Sequence, residues 1–115
     1  MASLRPDAIQ LFDRTREVHV AGPSKRIPIW AVVVDDEAYV RSYRAERGAW
    51  YRRALRDGRI TLEGVDVRVE PERDSALNER ISDAFRAKYG ARSSATEAMV
   101  TPEVVATTLR LERDD

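Results

Sequence analysis

The chain has 115 residues, no cysteine, one histidine, and twenty basic side chains balanced by twenty acidic ones. That is one domain's worth of sequence, long enough to bury a core unaided, and the absence of cysteine excludes disulfides, thiolate nucleophiles and zinc-thiolate sites. With 43% hydrophobic and 35% charged residues it reads as a folded protein with a solvated exterior, and its zero net charge argues against duplex binding driven by overall charge.

Residues 1–12 (MASLRPDAIQLF) have neither a basic start leading into an apolar core nor a cleavage pattern, and the longest unbroken apolar run is Ile29 to Val34. A cytoplasmic protein without a membrane span is therefore expected. Pro6 and Asp7 open a short helix carrying Ala8, Ile9, Leu11 and Phe12, a lid for one end of a barrel. Residues 14–20 alternate as a strand, and Ala21-Gly22-Pro23-Ser24 turns the chain into a second strand beginning at Lys25 and Arg26.

Ile29 to Val34 is a β-branched run without alternation, which predicts a strand covered on both faces, by a core on one side and by a helix or another subunit on the other. Asp35-Asp36-Glu37 makes a polar turn into Ala38 to Tyr43, so the two strands form a central hairpin. A helix runs from about Gly48 to a stop at Asp57-Gly58. Residues 59–62 and 65–69 alternate strictly as a second hairpin, ended by Pro71. Ser75 caps a helix to about Tyr89, with Gly90 as terminator. Residues 91–99 are poorly patterned, with one helical turn after Ser94, and Val104 to Leu111 reads as a closing strand. The order predicts one α+β domain over residues 1–115: an antiparallel split β-barrel of about six strands with flanking helices.

Between Arg41 and Arg56 the chain reads RSYRAERGAWYRRALR, six arginines against one glutamate, so positive charge is concentrated among two tyrosines, a tryptophan and a glycine. Guanidinium groups pair with phosphate, aromatic rings offer a stacking face, and a helix starting after Gly48 aims unpaired N–H groups at the same place. A solvated arginine-rich helix face accounts for the same residues. The hairpin divides the segment. Its pairing brings Lys25 and Arg26 beside Ser42, Tyr43 and Arg44, where Arg47 and the Gly48 helix start complete a phosphate-binding corner. Arg52, Arg53 and Arg56 fall further along the helix, on its solvated face. Trp30 and Trp50 are the candidates to line a ring-binding slot, although core packing is the simpler account of each alone. His19 is isolated in an alternating strand, the acids at 35–37 are explained by a turn, and glycine-rich phosphate loops are missing, so neither a hydrolase constellation nor a metal site is expected.

The stretch IPIWAVVVDDEAYVRSYRAERGAWYRRAL resembles the central portion of the flavin-binding split-barrel superfamily, which includes pyridoxamine-phosphate oxidase-like proteins and deazaflavin-dependent nitroreductases. More closely, it is similar to a small bacterial family allied to them, in which a Pro-Ile-Trp strand precedes Val-Arg-Ser-Tyr-Arg and Gly-x-Trp-Tyr. The resemblance implies a homodimer with FMN or a deazaflavin coenzyme in a groove between subunits. It assigns the ring to the strand from Lys25 through Arg26 and Pro28 to Trp30, and the phosphate to Ser42, Tyr43, Arg44, Arg47, Gly48, Trp50 and Tyr51. The chain departs from the deazaflavin enzymes in lacking their extended glycine-rich turn before that strand. The resulting expectation is a cofactor-binding protein that transfers hydride to a small organic acceptor. The alternative is a binding or sensing module of the same fold, with a vestigial groove or another phosphate-bearing ligand. Single-stranded nucleic acid would also suit RSYRAERGAWYRR, but the acidic remainder of the chain disfavours it.

Overall fold

The computed structural model describes residues 2–114. Helix α1 (Pro6–Arg14) starts with proline in the first turn and buries Ala8 and Phe12. A hairpin of β1 (Val18–Ala21) and β2 (Arg26–Ile29) follows, then a second of β3 (Ala31–Val34) and β4 (Glu37–Val40). The second hairpin turns on Asp35 and Asp36, both at positive φ, the two-residue geometry that suits the twist of paired strands. A 3-10 turn at Ala45–Arg47 leads into α2 (Ala49–Asp57), which stops at Gly58 with φ +73°. Then come β5 (Arg59–Leu62), β6 (Val65–Pro71), α3 (Ser75–Tyr89), the short helices α4 (Ser94–Met99) and α5 (Pro102–Val105), and β7 (Leu109–Arg113).

All seven strands belong to one antiparallel sheet in the order β2-β1-β5-β6-β7-β4-β3. Its two edge strands are consecutive in the chain, with only Trp30 between them. The sheet must therefore curl until its edges meet, giving a curled antiparallel half-barrel flanked by helices, the α+β split-barrel arrangement expected. The strand count is seven because residues 25–34 form two strands. Ladder pairing between β3 and β4 ends at Ala31 and Val40, and β2 turns away to pair with β1, placing Ile29 opposite Val18.

The end of α3 holds that break. The Trp30 ring stacks on Tyr89, centroids 4.0 Å apart and planes 5° from parallel. The Ala31 N–H donates to Tyr89 Oη (3.1 Å), which donates to the Arg16 carbonyl (2.7 Å). Lys88 Nζ donates to the carbonyls of Ala31 (2.7 Å) and Phe12 (2.8 Å). The polar groups freed where the strand breaks are thus satisfied by side chains. Burial pushes the Tyr89 hydroxyl up to about 12, so it remains a neutral donor. Pro28 fits because β2 is a sheet edge, where a missing N–H removes no central ladder bond.

Two apolar clusters sandwich β3 and β4. Inside the curl, Phe12 of α1 packs with Val18, Ala31, Val40, Leu62, Val67, Leu109 and Leu111. Outside, Val32, Val34 and Tyr39 pack against Ile81, Phe85 and Tyr89 of α3 and against Met99 and Val104. The Ile29 to Val34 run is therefore covered on both faces within one chain, by a helix. This removes the sequence argument for a second subunit. Large exposed apolar side chains among the described residues are Tyr43 and Leu55.

The local expectations need four corrections. Asp74, not Ser75, caps α3, its carboxylate accepting from the Leu77 N–H at 2.8 Å. Helix α1 continues to Arg14, so the first strand begins only at Val18. Strand β4 ends at Val40 and not at Tyr43, while the helical turn expected after Ser94 is present as α4 and buries Thr96 and Met99. Residues 102–105 are helical, because Pro102 starts a turn and the hydroxyls of Thr107 and Thr108 donate back to the carbonyls of Val104 (2.6 Å) and Val105 (2.7 Å). No helix among the described residues is long and apolar enough to cross a membrane.

Replacing Tyr89→Phe keeps the stack on Trp30 but orphans the Ala31 N–H. It should cost about 1–3 kcal/mol in urea unfolding, whereas Leu55→Ala, at a 46% exposed position, should stay within about 0.5 kcal/mol.

Candidate functional site

Because β2 leaves the β3–β4 hairpin at Trp30, a gap opens between β2 and the chain that follows β4. It is a cleft of about 550 Å³, within the range of small-molecule sites. One wall is β2 and its approach, with Lys25, Pro28 and Trp30 together with Ile27 and Ile29. The facing wall is Ser42, Tyr43, Arg44, Arg47 and Gly48, then Ala49 and Trp50 at the start of α2. Ala95 and Met99 of α4 close one side, and Arg41 belongs to the wall between them.

Most of the residues expected at the site therefore meet there, across a split in the sheet and not along a continuous hairpin. Arg26 and Tyr51 do not. Arg26 is turned toward Glu63 instead, its Nη2 3.7 Å from Glu63 Oε2. Tyr51 is buried in the inner core, edge-on to Trp50. The expected solvated residues of α2 behave as such in part. Arg52 donates to the Glu46 carbonyl and Arg56 pairs with Asp57, while Arg53 is half-buried.

The facing wall is a tight turn. Ser42 is fully buried. Its N–H donates to Thr107 Oγ1 (2.9 Å) and its hydroxyl donates to the Ala45 carbonyl (2.7 Å), so Ser42 frames the turn and its hydroxyl proton is committed. The N–H groups of Ala45 and Gly48 are committed too, to the carbonyls of Ser42 (2.9 Å) and Ala45 (3.2 Å). Ala45 takes φ +56°, an uncommon conformation for a residue with a side chain. Gly48 must lack one, because a Cβ there would collide with Ser42 Oγ. Gly48 is then the N-cap of α2 without a side-chain cap, which leaves the first-turn N–H groups after it for solvent or a ligand.

The charge in the cleft has one sign. Lys25, Arg44 and Arg47 are exposed, and no hydrogen bond or ion pair joins their side chains to another described residue. Among the described residues no carboxylate lines the cleft. The single imidazole is elsewhere, His19 Nδ1 lying 2.7 Å from Glu63 Oε2 on the outer face, and that hydrogen bond holds the Glu63 carboxyl below its ordinary value. Among the described residues no group of three or more metal-ligating side chains gathers. Trp30 presents to the cleft the surface that Tyr89 leaves uncovered, and Trp50, 7% exposed, adds an edge to an otherwise core position.

Arg41 was hidden in the sequence among its neighbours. It is 1% exposed and faces α3, on the same side of β4 as Tyr39. Its Nε donates to Thr108 Oγ1 (2.8 Å), Nη1 to Ser82 Oγ (2.9 Å) and the Met99 carbonyl (3.0 Å), and Nη2 to the carbonyl (3.1 Å) and amide oxygen (3.2 Å) of Asn78. Its carbon lies 5.2 Å from the Phe85 ring centroid. Burial, then repulsion from Arg86, pushes its pKa down to about 10, so it is still a cation at neutral pH. It ties α3, α4 and the approach to β7 to the strand that enters the Ser42–Gly48 turn.

A family model described as "Uncharacterized protein conserved in bacteria (DUF2255)" matches residues 8–111, and the chain belongs to that family. No curated protein and no solved structure matches it.

Gly48→Ala should destabilise the protein by about 1–3 kcal/mol through overpacking against Ser42. In a Ser42→Ala background the same change should cost measurably less, a coupling that a double-mutant cycle reads directly.

Proposed function

We propose that this member of the family binds a phosphate-bearing ligand with a flat ring, a flavin or deazaflavin nucleotide, in the cleft between β2 and the Ser42–Gly48 turn. The observation that carries the reading is the cleft's composition: unpaired Lys25, Arg44 and Arg47, no carboxylate, and a tryptophan already stacked from behind. The likeness of the Ile27 to Leu55 stretch to flavin-binding split-barrel proteins supports the choice of ring. Size, charge and donors fit such a group.

Arg44 and Arg47, with Lys25 across the cleft, would hold the phosphate by charge-assisted hydrogen bonds. The free N–H groups of the first turn of α2 would add a favourable dipole. Trp30, with Ile27, Pro28 and Ile29, would carry the ring and keep water from one of its faces. When bound, a flavin or deazaflavin supplies hydride transfer at its own ring, and oxidoreduction of a small organic acceptor is the activity proposed. Tyr43, 64% exposed at the mouth, is the protein hydroxyl best positioned to meet an acceptor.

A second reading has its own observation. Among the described residues no imidazole or carboxylate lines the cleft, so it lacks the commonest general acids and bases. That favours a binding or sensing module that holds the same class of ligand without turnover. The two readings separate once ligand is bound: reoxidation of the reduced complex by organic acceptors, faster than free cofactor manages, marks the enzyme.

Titration with FMN and with a deazaflavin coenzyme should perturb the absorption spectrum of at least one. Arg44→Ala with Arg47→Ala should weaken that binding at least about tenfold, since each charged hydrogen bond contributes about 1.5–3 kcal/mol. Binding of neither cofactor by the wild-type protein would refute the reading.

A further inference from the structure

The buried guanidinium of Arg41 has its hydrogen bonds but not its counter-ion. Every acceptor around it is neutral: two hydroxyls, two backbone carbonyls and one side-chain amide. None of the ion pairs among the described residues includes Arg41; on the elements around it Glu72 pairs with Arg110 at 2.7 Å and Asp83 with Arg86 at 2.9 Å, while Glu79 and Glu97 are exposed to solvent. The neighbouring charge that acts on it is Arg86, of the same sign. Dipoles satisfy donors without cancelling a net charge, and an uncompensated buried ion strains a fold.

That charge also adjoins the cleft. Arg41 and Met99, whose carbonyl it holds, are both in the cleft wall, and Ser42, the next residue, starts the binding turn. We infer that Arg41 is the fixed counter-charge of the cleft, acting through space on a bound anion that serves as the counter-ion the fold itself does not supply. The inference rests on the cleft being the ligand site. It adds that specificity for an anion is built into the core of the protein as well as into its exposed arginines. Surface cations are screened by salt within a Debye length, and a buried one much less, so part of the binding should resist salt.

The test supplies an internal counter-ion from outside the cleft. Asn78→Asp is nearly isosteric and puts a carboxylate against Nη2, and Asn78 does not line the cleft. Its amide also donates to the Glu72 carbonyl at 3.0 Å, so Ser82→Asp, opposite Nη1, is the second variant. Melting temperature and affinity are measured with inorganic pyrophosphate and with FMN at low and high salt. Each variant that folds should bind pyrophosphate about tenfold more weakly than wild type, because the buried positive charge is cancelled from within the core. Its salt-resistant part should disappear.

Unchanged affinity in a folded aspartate variant would overturn the inference, leaving Arg41 a hydrogen-bonding hub. If both variants fail to fold, Arg44→Ala with Arg47→Ala decides, both residues being exposed. Pyrophosphate should still raise its melting temperature at high salt, and no rise would count against Arg41. A wild type that responds to pyrophosphate but to neither FMN nor a deazaflavin coenzyme would refute the flavin reading while leaving this inference standing. No response to pyrophosphate or to either cofactor would refute both.

Discussion

The structure depends on a single covalent constraint, that the first and last strands of the sheet are one piece of chain. Ile29 ends β2 and Ala31 begins β3, so a seven-stranded antiparallel sheet can form only by curling until its edges share Trp30. The two end strands nevertheless remain edges, each paired on one side only. The weak point of the curl is the junction itself, where ladder pairing is interrupted and backbone groups would be orphaned. Helix α3 closes that point with Tyr89 and Lys88, whose polar ends reach Ala31 and whose neighbour Phe85 anchors the outer cluster.

The same interruption makes the cleft. A hairpin continuing past Ala31 and Val40 would have filled the gap with ladder bonds; instead β2 departs and the chain after β4 folds into a turn. That turn is specified by close packing, with Gly48 against Ser42 Oγ, and by Thr107, which ties it to the approach to β7. Function would then follow from what is left unpaired. Arg110, outside the cleft, is held between Glu72 and Glu112, whereas among the described residues no carboxylate lines the cleft. Around the cleft, the structure separates two kinds of arginine: Arg44 and Arg47, which are exposed, and Arg41, which is buried and held by five hydrogen bonds.

Much of this was legible in the residues. The alternation of residues 59–69, the Asp35-Asp36 turn, the glycine stops at 58 and 90 and the two-faced Ile29 to Val34 run each carry a local signal that packing did not override. What the sequence hid was tertiary. Nothing local marks Trp30 as the end of one strand and the start of another, because its β-branched and apolar neighbours suit either. Arg41 reads like the other arginines of its segment until α3 covers it. Ala95 and Met99 enter the cleft only through the packing of α4. Residues 104–108 look like strand by composition, and become a helical turn because Pro102 and two threonine hydroxyls favour it. The two-sided strand, which the sequence left to either a helix or another subunit, is covered by a helix of the same chain.

The most direct measurement is a crystal structure of the protein grown with FMN or a deazaflavin coenzyme. The account predicts the phosphate between Arg44, Arg47 and the first turn of α2, the ring against Trp30, and no carboxylate in contact with the phosphate. A ligand bound away from the cleft, or a cleft left empty under saturating cofactor, would contradict it.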